Sequence, residues 1–346
     1  MITVRHFGDD DLESLRGLVR EVWSDRPPEV FDRRWWWLMR QPAPLFVAED
    51  RETGRLIGMC AYVPFNFHAN GVDERGAWFV DFFVSPEQQG KGVGKTITLE
   101  VMNRFPVTAS LSQSDPAWAA FRKLGWRPRA FAKLYLHVAP SLWNLWPARG
   151  SSTITLVSEI CPALLSPEVA QEIDNLWSAT RGTYPALALR DSTTLQERYG
   201  ASERRSYEMV RAYRGGQLIG YMISRLLPRN SLRSLRRLDI GLIADYLIRA
   251  EEAEVFIQLL RKATRTSLAR GAQAMLCMAG CSMAERALRG GGYLHSSTPL
   301  IGRKLRSLDI GFTFYSTSTD WPDPSEWFLT LGDCDLDLLW GETPIS

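Results

Sequence analysis

The sequence predicts a mixed α+β protein, in the broad α/β class, made of two tandem copies of one domain. Each copy is expected to be a mostly antiparallel sheet flanked by helices. Three observations support this prediction: a length of 346 residues, which suits two domains of ordinary size; a regular order of strand and helix patterns; and a series of matches between the two halves.

The first half alternates strand patterns of period two with helix patterns whose apolar residues recur every three to four positions. A strand and a helix come first, then antiparallel hairpins, and then strand, helix, strand, helix, strand. Asn70-Gly71 is a strong hairpin signal. The predicted strands are Ile2–Arg5, Leu45–Glu49, Leu56–Phe67, Ala77–Val84, Val107–Leu111 and Ala132–Val138, and the predicted helices run from Leu12 to near Pro27, Lys95–Arg104 and Ala117–Leu124.

The second half repeats short segments of the first at offsets of 162 to 167 residues. Each match is weak alone, but four in the same order indicate a duplication. We therefore predict a first domain at residues 1–140, a connector at 141–152 and a second domain with a C-terminal extension at 153–346. The matched segments are Trp36-Trp37 and Arg198-Tyr199, Leu56-Ile57-Gly58 and Leu218-Ile219-Gly220, Val80–Val84 and Ala244–Ile248, and Gly125-Trp126 and Gly292-Tyr293.

Composition and charge exclude several classes of protein. The 41 Lys and Arg against 39 Asp and Glu give a net charge of +2, so no bulk field attracts nucleic acid or an acidic membrane. The sequence contains no run of 18 apolar residues, so no membrane span is predicted. The first residues are not expected to be a leader peptide, because they lack its features. The scattered cysteines and histidines predict buried thiols in a reducing cytoplasm and no metal site. The five cysteines are Cys60, Cys161, Cys277, Cys281 and Cys334.

The chemically informative segment is Gln89–Thr96, which reads Gln-Gly-Lys-Gly-Val-Gly-Lys-Thr between a predicted strand and a predicted helix. Glycines let the backbone approach a ligand, and the free N–H groups of a helix start bind phosphate. The dinucleotide pattern G-x-G-x-x-G fails because the glycines stand at 90, 92 and 94. The pattern G-x-x-x-x-G-K-[ST] fails at Gln89, and antiparallel hairpins precede the loop, so an NTPase is disfavoured.

Two motifs of the first half resemble those of the GNAT N-acetyltransferase superfamily. Residues 84–94, Val-Ser-Pro-Glu-Gln-Gln-Gly-Lys-Gly-Val-Gly, are similar to the acyl-CoA-binding motif Q/R-x-x-G-x-G/A. Ser114–Trp126 is similar to the closing signature N-x-x-A-x-x-x-Y-x-K-x-G-F. The resemblance covers residues 1–138, and a weaker one, in element order, covers about 190–305. It implies a tandem GNAT protein with a degenerate second domain.

The resemblance implies one CoA site, in the first domain. Backbone groups of Phe82, Phe83 and Val84 would pair with the pantetheine arm, and the amides of residues 90–95 would hold the pyrophosphate. Lys91 and Lys95 would either add positive charge or remain solvated. In the second domain Arg249–Ala253 replaces the loop, and its two carboxylates would repel a pyrophosphate. The implied cofactor-binding residues are Phe82, Phe83, Val84, Gln89, Gly90, Lys91, Gly92, Val93, Gly94 and Lys95.

Transfer of an acyl group to an amine needs a positioned thioester, a polarised carbonyl and a base for the ammonium proton. Asp81, a lone carboxylate in an apolar strand, is the candidate base, and a structural hydrogen bond is the alternative reading. Asp245 recurs at the matching place in the second domain, through common ancestry or through a shared structural need.

The general acid is harder to assign, because Phe121 stands where the resemblance implies a tyrosine. A CoA thiolate leaves without much help, so the acid could be water, Ser112, Ser114 or Tyr62. Ser114 also replaces the usual asparagine of the closing signature, which puts its contact with the CoA arm in doubt.

Three other segments have both a structural and a functional reading. Trp35–Trp37 is expected to pack in a core, with an acceptor pocket as the alternative. Arg225–Arg237 contains five arginines and is expected to be a solvated hairpin rather than an anion site. Asp320–Asp337 is read as a final strand, acidic enough to face a cationic amine.

The predicted function is acetyl-CoA-dependent N-acetylation of a small-molecule amine, such as an amino sugar, an amino-acid-like compound or a natural-product intermediate, by direct attack on the thioester. We expect no nucleic-acid or membrane partner, and a monomer or homodimer. Two alternatives remain. One is a transferase with another acyl donor, such as succinyl-CoA or an aminoacyl-tRNA, the latter disfavoured by the near-neutral charge. The other is a CoA-binding pseudoenzyme without catalysis.

Overall fold

The computed structural model describes residues 1–23, 44–138, 153–201, 206–227, 238–249, 252–295, 309–334 and 336. The predicted connector and Trp35–Trp37 lie outside these residues, as do Arg229, Arg233, Arg236 and Arg237 of the arginine-rich segment. The chain forms two compact units, each assembled from separate segments. The first comprises residues 1–67, 73–130 and 311–324, and the second comprises residues 68–72, 131–310 and 325–346.

The described residues form fifteen strands and seven α-helices, numbered here along the chain, so the predicted mixed α+β class is confirmed. The strands are β1 Ile2–His6, β2 Leu45–Asp50, β3 Arg55–Ala69, β4 Val72–Val84, β5 Val107–Leu111, β6 Ala130–Val138, β7 Ile154–Ile160, β8 Ala186–Ala188, β9 Glu208–Arg214, β10 Gln217–Leu227, β11 Ile240–Ile248, β12 Ala274–Ala279, β13 Leu294–His295, β14 Ile310–Ser316 and β15 Trp327–Phe328. The helices are α1 Leu12–Val22, α2 Val93–Met102, α3 Asp115–Lys123, α4 Pro167–Thr180, α5 Ser192–Tyr199, α6 Ala253–Ala269 and α7 Ser282–Gly290.

The sheet of the first unit has the order β1-β2-β3-β4-β5-β14. Strands β4 and β5 run parallel, whereas β1–β2, β2–β3 and β5–β14 are antiparallel. The β3–β4 hairpin turns at Asn70 and Gly71, whose φ angles of 50° and 83° are those of the tight turn that this residue pair favours. The predicted hairpin is therefore present.

The two faces of this sheet carry separate apolar cores. On one face, α1 buries Leu15, Leu18 and Val19, whose spacing along the helix forms a single apolar stripe. On the other face, α2 buries Ile97 and Val101 in a cluster with strand residues, with Phe121 of α3 and with Trp126, which follows α3. The end of the sheet near the α2 start is thus flanked by helices on both faces.

The sheet of the second unit has the order β7-β9-β10-β11-β12-β6, with β11 and β12 parallel and the other neighbours antiparallel. This strand order corresponds, strand by strand, to that of the first unit. The sixth strand of each sheet comes from the other half of the sequence: β14 pairs with β5, and β6 pairs with β12.

The compact units therefore differ from the boundaries expected at residues 140 and 153. Residues 131–138 belong to the second unit because β6 completes its ladder, and residues 311–324 belong to the first because β14 completes the other. Packing explains why β14 belongs to the first unit, because its residues Phe312 and Phe314 are fully buried there.

A buried ion-pair cluster organises the second unit. The Arg190 guanidinium is 1% exposed and donates from Nε to Asp245 at 2.9 Å and from Nη2 to Asp333 at 2.8 Å. Thr330 Oγ1 adds a hydrogen bond to Asp245 at 3.0 Å. Asp333 lies in the tail that the sequence predicts as an acidic final strand, but it is paired inside the core. Among the described residues of that tail, Trp327–Phe328 is the part that forms a strand. A buried charge is tolerable only when its partners are in place.

The strand exchange predicts that the first half of the sequence cannot fold alone. A fragment of residues 1–138 lacks β14 and leaves the β5 edge and its apolar neighbours open, so we expect no cooperative transition in urea followed by circular dichroism. Residues 1–130 joined to 309–324 by a flexible Gly/Ser linker should recover a sigmoidal transition. A cooperative 1–138 fragment would contradict the assignment of β14 to this unit.

Burial of His137 predicts acid sensitivity of the second unit. The ring is 5% exposed, and burial lowers the pKa of His137 to about 4, below its ordinary 6.5. The unfolded chain then binds the proton first, so stability is lost as the pH falls from 6.5 towards 4. We expect about 2 kcal/mol of the unfolding free energy to be lost between pH 7 and pH 5. Urea titrations of His137→Phe should show this pH dependence reduced by that amount; an unchanged dependence would contradict the prediction.

Candidate active site

Strand β4 leaves its regular geometry next to the glycine loop. Phe79 and Phe82 both contact Phe121, with ring centroids 5.5 and 5.8 Å away. Side chains three apart in a regular strand point to opposite faces, so the backbone contains a bulge between them. The β4–β5 ladder also stops at the pair Phe79 and Ser110. The end of β4 therefore diverges from its parallel neighbour and opens a cleft.

The glycine loop after β4 presents the start of α2. Gly90 and Gly92 have φ angles of 78° and 90°, a conformation that side chains disfavour. Gly92 is the N-cap residue of α2, no side chain caps this end, and the first turn contains no acidic residue. The first helical N–H groups are therefore available to an anion, and the helix dipole favours negative charge there.

A cavity of about 670 Å³ joins the loop, the end of β4 and α3. Most of the predicted cofactor-binding residues line it, and Ser114 does so as well. Lys91, Val93, Asp81 and Ser112 do not line it. The lining residues are Val22, Phe82, Phe83, Val84, Gln88, Gln89, Gly90, Gly92, Gly94, Lys95, Ser114, Pro116, Ala117, Ala119, Ala120, Lys123 and Leu124.

The two candidate serines have different environments. Ser114 is the N-cap residue of α3, and its Oγ accepts a hydrogen bond from the Ala117 N–H at 3.4 Å while it lines the cavity. In the capping hydrogen bond the Ser114 oxygen is an acceptor, so this bond does not use the hydroxyl hydrogen as a donor. Ser112 is exposed at the end of β5 with a φ of 63°, and its N–H donates to the Gly311 carbonyl at 2.8 Å. Positive φ at a residue other than glycine is frequent near functional sites.

Asp81 lies in β4 immediately before the cavity-lining residues and is 4% exposed. Its charge helps to raise the pKa of the Cys60 thiol, which burial raises more strongly, so this thiol stays protonated. A carboxylate and a neutral thiol therefore lie near each other inside the first unit, one residue from the cleft.

Phe121, which stands where the resemblance implies a tyrosine, and Tyr62, the aromatic candidate for the acid, both lie in packed surroundings. Phe121 is 1% exposed and stacks on Trp126 at 4.3 Å, so this position holds an apolar ring. Tyr62 packs between Phe46 and Phe105, and burial raises its pKa. Phe105 follows the C-terminal end of α2, whereas the loop precedes its start. The ten-residue helix is about 15 Å long. Tyr62 contacts Phe105, beyond the far end of that helix, and does not line the cavity next to the loop.

The sequence analysis did not predict that α3 forms a wall of the cavity. Ala117, Ala120 and Leu124 line it, at the spacing of three and four residues that marks one face of a helix. This stripe is a signal present in the sequence, although small residues at that spacing usually indicate packing. Lys123 adds a positive charge, and the Gln89 side chain donates to the Val84 carbonyl at 3.2 Å.

The matching place in the second unit is built differently. Glu252 is the N-cap residue of α6, and its carboxylate pairs with Arg214. Ladder pairing of β11 with β12 ends at Ile243 and Cys277, but the Gly332 N–H then donates to the Ala244 carbonyl at 2.6 Å. The second unit thus places a carboxylate where the first has glycines, and fills the opening between its parallel strands with its own backbone.

In the part of the chain that the structure describes, no group of three or more His, Cys, Asp or Glu side chains is arranged to hold a metal ion. All five cysteines are free thiols. No described helix combines the length and apolar character that crossing a membrane requires.

Residues 10–126 match the model of the acetyltransferase (GNAT) family, so this part of the chain belongs to that family. No curated protein matched the sequence.

Solved structures show that the fold extends over almost the whole chain. A GNAT protein from Anabaena variabilis is 12% identical, with 92% of this chain and 73% of that one covered and a TM-score of 0.61. N-myristoyltransferase of Saccharomyces cerevisiae with bound myristoyl-CoA is 9% identical, with 93% and 84% covered and a TM-score of 0.56. A glucosamine N-acetyltransferase region of a fungal multi-domain β-N-acetylglucosaminidase is 15% identical, with a TM-score of 0.59 over 91% of this chain, which spans 38% of that one.

The loop geometry predicts that Gly92→Ala weakens CoA binding. A Cβ at Gly92 meets no atom within 4 Å, so the cost is the backbone strain of about 1–2 kcal/mol at positive φ. Relief of that strain should turn the α2 amides away from the anion and lower the CoA affinity about tenfold in isothermal titration. Gly54→Ala is the matched control, because Gly54 has a φ of 67° and the same open space but does not line the cavity. An equal loss in both variants would contradict this role of Gly92.

Proposed function

We propose that this protein is an acyl-CoA-dependent N-acyltransferase that uses acetyl-CoA to acylate the amine of a small molecule. The observation that carries the proposal is the uncapped, glycine-formed start of α2 at one end of a cavity that continues along the diverging end of β4. An anion site next to an extended, apolar cleft suits the pyrophosphate and pantetheine arm of CoA.

The cofactor would be held mainly by backbone groups. Amides of residues 90–95 would bind the pyrophosphate, with Lys95 and Lys123 at the cavity wall adding positive charge. The β4 residues Phe82–Val84, beyond the last pair with β5, would offer backbone hydrogen bonds to the pantetheine amides. No metal would be needed, because the thioester is already an activated acyl donor.

The proposed reaction is direct attack without an acyl-enzyme. The amine nitrogen attacks the thioester carbonyl carbon, the C–S bond breaks, and the nitrogen proton passes to a base. Asp81 is our candidate base, reached directly or through one water. The leaving thiolate would be protonated by the Ser114 hydroxyl or by water, since Phe121 carries no hydroxyl. Ser112, outside the cavity wall, is the weaker candidate.

The acceptor class is a small amine, and amino sugars are one candidate. The fungal region whose fold resembles this chain is described as a glucosamine N-acetyltransferase. An amino-acid-like compound or another biosynthetic intermediate would satisfy the same chemistry. We propose a cytoplasmic enzyme that acts as a monomer or homodimer and engages neither nucleic acid nor membrane.

Two measurements test the proposal. Isothermal titration should show acetyl-CoA binding to the full-length protein, and absence of binding would reject every CoA-dependent function. Release of free CoA thiol, followed with a chromogenic disulfide in the presence of an amine panel, should exceed the amine-free rate. A panel of amino sugars, amino acids and polyamines, tested at one concentration, would rank the acceptor classes.

A second candidate function is CoA binding without catalysis. Phe121 is packed inside an aromatic stack, and the Ser114 oxygen already caps α3. If acetyl-CoA binds but no amine of the panel accelerates thiol release, this alternative replaces the enzyme.

We expect the same substitution to have different effects at the two matching aspartates: a loss of activity at Asp81 and a loss of stability at Asp245. Asp81→Asn should lower kcat/KM at neutral pH by about a hundredfold, as expected for a general base, with CoA affinity unchanged. Asp245→Asn should instead destabilise the fold by about 3–5 kcal/mol, because it leaves the buried Arg190 short of a charged partner. Steady-state kinetics and urea unfolding separate the two. Unchanged turnover in Asp81→Asn would remove it as the base.

A further inference from the structure

An aromatic wall closes one side of the cavity in the first unit. Phe82, Phe121 and Trp126 form a continuous stack, with centroid distances of 5.8 and 4.3 Å and interplanar angles of 29° and 11°. Phe79 meets the stack edge-on, 5.5 Å from Phe121 and 5.3 Å from Trp126. Phe79, Phe121 and Trp126 are at most 4% exposed, so the stack is anchored in the core.

Only the Phe82 end of this wall reaches the cavity. Phe82 lines it, whereas Phe79, Phe121 and Trp126 lie behind and do not. The bulge in β4 explains this arrangement, because it brings Phe82 to the same face as Phe79. The ring that a ligand meets is therefore backed by three further aromatic rings.

The other edge of the Phe82 ring is held by the first turn of α2. A Cβ built on Gly94 would lie 3.1 Å from Phe82 Cζ, a contact tighter than ordinary packing. Gly94 therefore gives the ring just enough room. A ring fixed between Phe121 and Gly94 cannot swing aside without moving either the core or the loop, since packed interiors yield little.

We propose that Phe82 is a specificity-determining residue that limits the length of the acyl chain on the CoA donor; this inference rests on the proposed function. The ring stands on the part of β4 that has left its ladder with β5, where the thioester end of the donor would lie. An acetyl group fits in front of the ring. A chain of six or more carbons has to displace it. The donor class is therefore short acyl-CoA thioesters.

The test compares acetyl-, butyryl-, hexanoyl- and octanoyl-CoA as donors for the wild type, Phe82→Ala and the milder Phe82→Leu. For the wild type, kcat/KM should fall steeply beyond butyryl-CoA. In Phe82→Ala the ratio of hexanoyl- to acetyl-CoA activity should rise at least tenfold, since each newly buried methylene contributes roughly fourfold. Phe82→Leu should give an intermediate ratio, and it keeps the test valid if the alanine variant folds poorly.

Phe79→Leu is the matched control, because Phe79 belongs to the same cluster but does not line the cavity. It should lower the thermal midpoint without changing the hexanoyl-to-acetyl ratio. Titration of each acyl-CoA with the wild type separates the two hypotheses. If no acyl-CoA binds, the proposed function fails. If donors bind but the wild type uses octanoyl-CoA as well as acetyl-CoA, or if Phe82→Ala slows all donors equally, the role of Phe82 is overturned.

Discussion

Both units depend on one constraint: two parallel strands at the centre of the sheet stop pairing part of the way along. In the first unit β4 leaves β5 after Phe79, and in the second β11 leaves β12 after Ile243. Backbone groups beyond these points need partners, because unpaired buried N–H and C=O groups are costly. The units meet this need differently. The first keeps a cavity along the open edge, whereas Gly332 donates to Ala244 in the second.

The same constraint explains why Asp245 has a structural role. Once the opening in the second unit is filled by residues 330–333, a carboxylate at this place is enclosed. It is stable there because Arg190, Thr330 and the Tyr246 N–H satisfy it. Gly332 must be glycine in this packing, since a Cβ would lie 1.9 Å from the Tyr199 hydroxyl. Burying an ion pair gains little net stability, but removing one partner is expensive, so the cluster fixes one arrangement of the tail.

The sequence predicted local features well and long-range partners poorly. The Asn70-Gly71 turn, the glycine loop and the order of strands follow from residue type and period, which act over a few positions. The strand exchange does not, because alternation in β6 and β14 specifies a buried face but not the sheet that supplies it. The sequence also could not predict that Asp81 and Asp245 have different surroundings. Their local sequences are alike, and the decisive residue, Arg190, is 55 positions from Asp245 in the chain.

The phenylalanine at position 121 connects the chemistry of the site to its shape. A tyrosine there would need a polar partner when buried, whereas Phe121 allows a dry stack from Trp126 to Phe82. Phe121 therefore brings no hydroxyl to this position, and the rings of the cavity wall pack without a polar group between them. A thiolate is a good leaving group, so a missing proton donor costs the reaction less than a misplaced thioester, for which orientation contributes far more. Under the proposed function, an aromatic wall beside the acyl group would serve the positioning of the donor, which matters more to this reaction than acid catalysis.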